Sequence, residues 1–379
     1  MKIVIAPDSY KESLTAMEVA QAIENGFQQI FPDAEYIKLP MADGGEGTVQ
    51  SLIDATGGEL IPVNVTGPLG APVDGFLGIV GDGSTAVIEM AAASGIHLVP
   101  ADKRDPLVTT SYGTGELIKA ALDMGVRHII VGIGGSATND AGLGMAQALG
   151  VQLRDSNGNE LGYGGGELSK LASIHTEDMD PRLSDIKLEI ACDVDNPLCG
   201  PKGASAVFGP QKGATPAMVA ILDTNLSHYA DVIKATNGKD VKHTPGAGAA
   251  GGLGAAFLGL FNASLRPGIQ IVMDAVNLSG VVKDADLVIT GEGRIDSQTI
   301  HGKTPVGVAR TAKQTQVPVI AIAGSTAKDC HVVYDHGIDA VYSVVLGATD
   351  LPTALKEAAF NVEMTSRNIA AALAMSFTH

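Results

Sequence analysis

The chain has 379 residues, 45% hydrophobic but only 4% aromatic, which fits about two domains with aliphatic cores. Its formal net charge of −17, with no cluster of Lys or Arg, excludes the basic stripe of a nucleic-acid binder. Three cysteines without a C-x-x-C pair argue against a disulfide framework, and no stretch of about 18 uncharged apolar residues is available to span a membrane.

The chain opens with "KIVIAP", a β-branched run ended by Pro7 that reads as a buried strand. The cysteine pattern points to a reducing, cytoplasmic setting, and the apolar run of "MKIVIAPDSY" is too short for a signal-peptide core. Ser13 or Thr15 caps a helix through Ile30, with Ala16, Val19, Ala20, Ile23 and Phe27 at helical spacing. "AEYIKLP" is a second strand, and "DGGEGT" opens a helix over Val49–Ala55. Leu60–Val65, Gly75–Ile79 and Ala86–Glu89 read as further strands. His128–Ile133 is a strand, and a helix is expected after Asn139 or Asp140. "KLEIACDV" is strand-like. Asp286–Thr290 is a strand that breaks at Gly291 into a loop. The helix Thr304–Gln314 carries Pro305 where its missing N–H costs nothing. "VPVIAIAG" and "AVYSVV" are strands, and helices over 352–360 and 362–375 close the chain.

Strands alternating with helices predict βαβ units and a parallel sheet. "KIVIA" shares the character of the C-terminal strands. The expected organisation is therefore one doubly wound parallel domain from residues 1–90 and 281–379, with a second α/β domain, 91–280, inserted into it.

Several turns carry candidate chemistry. In "HIIVGIGGSATND", Gly134 and Gly135 let backbone N–H groups approach an anion at a helix start, with Ser136 and Thr138 in the same turn. In "ADGGEGT", Asp43 and Glu46 flank Gly44 and Gly45, a pattern suited to phosphate and Mg²⁺; the bland alternative is capping by Asp43 or Thr48. Asp8, Ser9 and Lys11 follow the first strand, where ligands bind in open α/β sheets. Asp193, Asp195 and Asn196 follow a later strand, and paired carboxylates suit a general base or metal ligand. Glu292, Arg294, Asp296, His301 and Lys303 crowd one segment. "GAGAAG", Gly246 to Gly251, fits G-x-G-x-x-G but lacks a preceding strand, so it reads as a close-packed turn. "SQTIHGKT" has Ser297 where a P-loop needs its first glycine.

The segments "KIVIAPDSYKESL", "MADGGEGTV", "IEMAAASG", "GIGGSATND", "ACDVDNPLCGPKGAS", "FGPQKGA", "PGAGAAGGLGAA" and "VITGEGRIDSQTIHGKTP" together resemble the glycerate kinase family of bacterial acid-sugar catabolism. They run almost end to end. The resemblance implies a flavodoxin-like domain built from both termini with an inserted α/β domain. It also implies ATP-dependent phosphorylation of D-glycerate to 2-phosphoglycerate; the carboxylates beside the glycine turns add the expectation of Mg²⁺ as cofactor.

On that reading Arg294 clamps the substrate carboxylate with its planar fork. Asp8, Ser9, Asp296 and Lys303 complete the substrate site, and Lys11 or Lys303 neutralises the transferred group. Gly44, Gly45, Gly134, Gly135, Ser136 and Thr138 cradle the nucleotide. Asp43, Glu46 or Glu292 holds Mg²⁺, and Asp193 accepts the hydroxyl proton. The alternatives are a 3-phosphoglycerate-forming kinase, a kinase of another small hydroxy acid, an NAD oxidoreductase and a non-catalytic sugar-acid binding protein.

Overall fold

Residues 1–45 and 47–376 of the computed structural model are described here. Among them the strands run β1 (Lys2–Pro7), β2 (Glu35–Lys38), β3 (Glu59–Thr66), β4 (Pro72–Ile79), β5 (Thr85–Glu89), β6 (His128–Gly132), β7 (Gln152–Arg154), β8 (Ser173–His175), β9 (Lys187–Ala191), β10 (Ala263–Arg266), β11 (Leu287–Ile295), β12 (Val319–Thr326) and β13 (Ala340–Ser343). The fold is α/β, as the sequence implied. The chain divides into two compact units: Met1–Asp43, Gln50–Gly57 and Ile269 onward form one, and Gly44–Val49 with Gly58–Gly268 form the other.

The first unit holds a five-stranded sheet in the order β13-β12-β11-β1-β2, and every pair in it is parallel. Counting only its own strands, that is the flavodoxin order 2-1-3-4-5. Ile3, Val4, Ile5 and Ala6 are fully buried because β1 lies inside the sheet with both faces covered, which is why its sequence is continuously apolar. The helix Ala16–Gln28 lays Val19, Ala20, Ile23 and Phe27 into this core. Thr15, not Ser13, is its cap. Thr15 Oγ1 accepts from Glu18 N at 3.2 Å and Glu18 Oε2 accepts from Thr15 N at 2.8 Å, a complete capping box.

That helix packs on the C-terminal helix Ala358–Ser376 through Gly26. A Cβ at Gly26 would lie 2.7 Å from Ser366 Cβ and 2.8 Å from Arg367 N. Gly26→Ala is expected to destabilise the protein by about 1–3 kcal/mol through overpacking, outweighing the roughly 1 kcal/mol that alanine gains in helix propensity. Urea denaturation measures it; a variant as stable as the parent would show that the two helices can slide apart freely.

The second unit holds a six-stranded sheet, β10-β9-β6-β5-β4-β3. β5, β6, β9 and β10 run parallel, while β3 and β4 form an antiparallel hairpin extended onto β5. Two expected boundaries move. The strands β3, β4 and β5 were assigned with the first domain, up to residue 90, but they belong to this sheet; the chain passes between the units at Asp43/Gly44, Val49/Gln50, Gly57/Gly58 and Gly268/Ile269 rather than at 90 and 281. Local strand character cannot reveal this, because membership is fixed by the pairing of β5 with β6, from Thr85↔His128 to Glu89↔Gly132.

A second correction concerns Gly291. The strand does not break there: β11 continues to Ile295, pairing Glu292 with Ala323 and Arg294 with Ser325. A Cβ at Gly291 would collide with Ile322 O, and one at Gly324 would lie 2.5 Å from Gly293 O. These glycines permit close backbone approach between β11 and β12; they do not end the strand.

Candidate functional site

In the first unit, β1 and β11 are neighbours that are distant in sequence. This is the switch point of the strand order, beyond whose carboxyl end ligands bind in such sheets. Asp8 leaves the end of β1 with its N–H donating to Gly291 O at 2.8 Å. Its Oδ2 accepts from Thr304 Oγ1 at 2.6 Å, at the start of the helix Thr304–Lys313, and its Oδ1 accepts from Ser9 N at 2.7 Å. On β11, Glu292 Oε1 accepts from Thr299 Oγ1 at 2.5 Å, and Glu292 Oε2 accepts from Lys303 Nζ at 3.2 Å. Burial, chiefly, holds the Asp8 carboxyl above the usual carboxylate range, and the charge of Asp43 adds to it. Glu292 is raised as well, again mainly by burial, with the charge of Asp8 contributing. Negative charge is thus concentrated beside Lys303.

Arg294 lies on the strand extension with its side chain 67% exposed, and its Nε sits 3.3 Å from Asp296 Oδ2. Asp296 is itself held: its Oδ1 accepts from Gln298 N at 2.9 Å. Lys11 is exposed in the turn between Tyr10 and Leu14. The fold therefore brings Asp8, Ser9, Glu292 and Lys303 together, pairs Arg294 with Asp296, and leaves Lys11 at the surface.

In the second unit, the two glycine turns meet at the carboxyl ends of β6 and β9. A Cβ at Gly132 would lie 2.7 Å from Gly44 O, one at Gly44 would lie 2.8 Å from Ala191 Cβ, and one at Gly134 would lie 3.7 Å from Gly45 Cα. The start of the helix Thr48–Thr56 is held by contacts from both sides. Thr48 Oγ1 donates to Gly45 O at 2.7 Å, while the buried Glu89, at the end of β5, accepts from Val49 N at 2.9 Å. Glu46 lies outside the described residues. Asp193 follows β9, and its Oδ1 accepts from Gly268 N at 3.0 Å, at the start of the helix Gly268–Ala275.

The helix expected after Asn139 or Asp140 begins at Leu143 and is only six residues long. Its first N–H groups are already taken: the buried Asp140 accepts from Gly142 N at 3.2 Å and Gly144 N at 3.3 Å, as well as from Ser111 N and Ser111 Oγ. The turn's capacity for an anion thus rests on Gly134 and Gly135, which are exposed, and on Ser136 rather than on a helix start. "GAGAAG" proves to be the close-packed turn expected: Gly251, at φ +69°, has no room for a Cβ against Thr138 O.

Sequence reasoning passed over Lys212. Its side chain is 2% exposed, and its Nζ donates to Ser136 Oγ and to Thr138 O, each at 2.6 Å. The one signal was "FGPQKGA", a lysine set between turn residues. Thr299, Thr304 and Glu89 were missed too; only folding shows what they face.

Among the described residues no group of three or more His, Cys, Asp or Glu is arranged to hold a metal ion, so Asp43 and Glu292 are not part of such a cluster. No helix among them is long and apolar enough to cross a membrane.

The family model for the glycerate kinase family matches residues 3–374. A glycerate kinase of Bacillus subtilis (strain 168) is 62% identical over 378 residues, covering 100% of this chain and 99% of that relative. A glycerate 2-kinase of Escherichia coli (strain K12) is 61% identical over 375 residues, covering 99% and 98% of the two chains. A crystal structure of a glycerate kinase 2 candidate from Salmonella typhimurium LT2 superposes with a TM-score of 0.92 at 60% identity, over 99% of each chain. With strand order, glycine turns and motif order all in agreement, the chain belongs to the glycerate kinase family and is a kinase.

Proposed function

We propose that the protein transfers the terminal phosphoryl group of ATP to D-glycerate, giving 2-phosphoglycerate in sugar-acid catabolism. The observation that carries this is the pairing of two chemistries in one chain of this family. One unit presents cations and carboxylates suited to a small hydroxy acid, and the other presents convergent glycine turns suited to phosphates. The name of the relative at 61% identity supports the 2-position.

Phosphoryl transfer is mostly positioning and charge stabilisation. Arg294 binds the glycerate carboxylate, with Asp296 orienting the guanidinium and Asp8, Ser9 and Lys303 lining the substrate. Lys11 or Lys303 offsets charge on the transferred group. Gly44, Gly45, Gly134, Gly135, Ser136 and Thr138 receive the nucleotide, and Asp193 takes the hydroxyl proton.

Mg²⁺ is part of this reading. It typically binds through one or two carboxylates plus substrate phosphates, so a preassembled three-ligand cluster is not required. Asp8 and Glu292 are both raised chiefly by burial, with the charge of Asp43 adding at Asp8 and that of Asp8 adding at Glu292, the kind of oxygen-rich, acidic setting that such a cation relieves. Asp43, Glu292 and Glu46 are the residues that would hold it, and it would neutralise phosphate charge. The three cysteines are free thiols, which suits the proposed cytoplasmic setting.

The test is incubation with Mg-ATP and D-glycerate, following ADP release and identifying the product by phosphorus NMR. ADP should appear only when both glycerate and Mg²⁺ are present, with phosphorus on the 2-oxygen. A 3-phosphoglycerate product corrects the position; ATP consumption without glycerate, NAD reduction, or glycerate binding without turnover overturns the reading.

A further inference from the structure

An ammonium is rarely buried without a carboxylate against it. Lys212 is such a case: among the described residues its Nζ meets a hydroxyl and a carbonyl, Ser136 Oγ and Thr138 O, and forms no ion pair. It ends the short segment Pro210–Lys212, and Gly213, at φ +93°, packs against the Arg104 carbonyl. The side chain is thereby threaded into the interior behind the Gly134–Thr138 turn. The nearest influential charge is Asp140, whose oxygens are occupied by Ser111, Gly142 and Gly144.

The consequence lies in which group donates. An ammonium has three donors and no acceptor, so in the Lys212–Ser136 bond the serine oxygen must accept. The Ser136 hydroxyl proton is then turned away from Lys212. Ser136 is 6% exposed and sits directly after Gly134 and Gly135, which are exposed. We infer that Lys212 is a positioning residue for nucleotide binding: it fixes the Ser136 hydroxyl as an outward donor to a phosphate oxygen and places positive charge behind the turn. Burial pulls the lysine down to about 7, so the charge, and with it the fixed orientation of the Ser136 hydroxyl, is held below that pH and given up above it. The inference deepens the reading of Gly134–Thr138 as the nucleotide turn and rests on it.

The experiment measures ATP affinity by calorimetry, and steady-state kinetics, for the full chain and for Lys212→Met, Lys212→Gln, Ser136→Ala and the Lys212→Met/Ser136→Ala double variant. Thermal melts on the same preparations identify folded protein. Lys212→Met and Ser136→Ala should each weaken ATP about ten- to a hundred-fold, as loss of a charge-assisted bond does, and KM for glycerate should stay within about twofold. The double variant should be no weaker than the weaker single one, because both changes remove one device. Lys212→Gln, which can still donate to Ser136 Oγ, should recover part of the loss. Effects that multiply in the double variant, or wild-type ATP affinity in Ser136→Ala, overturn the inference. That second outcome decides the matter even if Lys212→Met does not fold.

Inorganic tripolyphosphate separates the two readings. If the parent binds it through Ser136 but phosphorylates no glycerate, the functional proposal falls and this inference stands. If the parent is an active kinase whose Ser136→Ala variant binds ATP normally, the reverse holds.

Discussion

On the proposed role, Asp193→Asn is expected to lower kcat for glycerate phosphorylation by about a hundred- to ten-thousand-fold, the usual contribution of a positioned general base, while the fold is retained. The substitution is chosen for what it keeps. Asn still offers an oxygen to Gly268 N–H, which Asp193 Oδ1 accepts at 3.0 Å, so the start of the helix Gly268–Ala275 remains held. Only the basic carboxylate is lost. If Asp193 served the helix start alone, the Asn variant would be a normal enzyme, and Asp193→Ala would instead lose about 0.5–2 kcal/mol of stability. Rapid-quench measurement of the first turnover, beside a urea melt, distinguishes these. A kcat in the Asn variant within threefold of the parent removes Asp193 from the chemistry.

If Arg294 clamps the carboxylate as proposed, Arg294→Lys is expected to reduce kcat/KM for glycerate by roughly ten- to over a hundred-fold, corresponding to about 1.5–3 kcal/mol for a lost charge-assisted bond. Lysine keeps the charge but not the planar fork that grips a carboxylate at two points. Stability should hardly change. The side chain is largely exposed and its pairing with Asp296, at 3.3 Å, is a surface ion pair of about 0–1 kcal/mol. A purely structural Arg294 gives the opposite pattern, a lower melting temperature with normal kinetics in the surviving enzyme. Unchanged kcat/KM in the Lys variant ends the carboxylate-clamp role.

The core strands were legible in the sequence for a physical reason. A strand covered on both faces has no polar side to show, so Ile3–Ala6 in β1 and Leu287–Ile289 in β11 could only be buried strands. The Ala16–Gln28 helix was equally plain from its apolar spacing, whereas the choice of Thr15 over Ser13 as its cap was decided by the bonds to Glu18. The motifs, read in order, carried the family as well. All of these signals are local: periodicity, capping and turn chemistry act over a few residues.

What only the tertiary structure decided depends on partners far along the chain. Gly291 looked like a strand break, yet it is a point of close approach, and the backbone it approaches belongs to Ile322. The strands between 59 and 89 looked like their predecessors, but β5 pairs with β6 and so belongs to the other sheet. Nothing local beyond its place in "FGPQKGA" marked Lys212, and only the fold, with the turn at Gly213, directs it inward to Ser136 and Thr138. Composition and periodicity specify which faces must be covered. Hydrogen-bond register and side-chain burial are fixed only when residues hundreds of positions apart meet, and much of the candidate site is built from such meetings, as in the bond from Thr304 to Asp8.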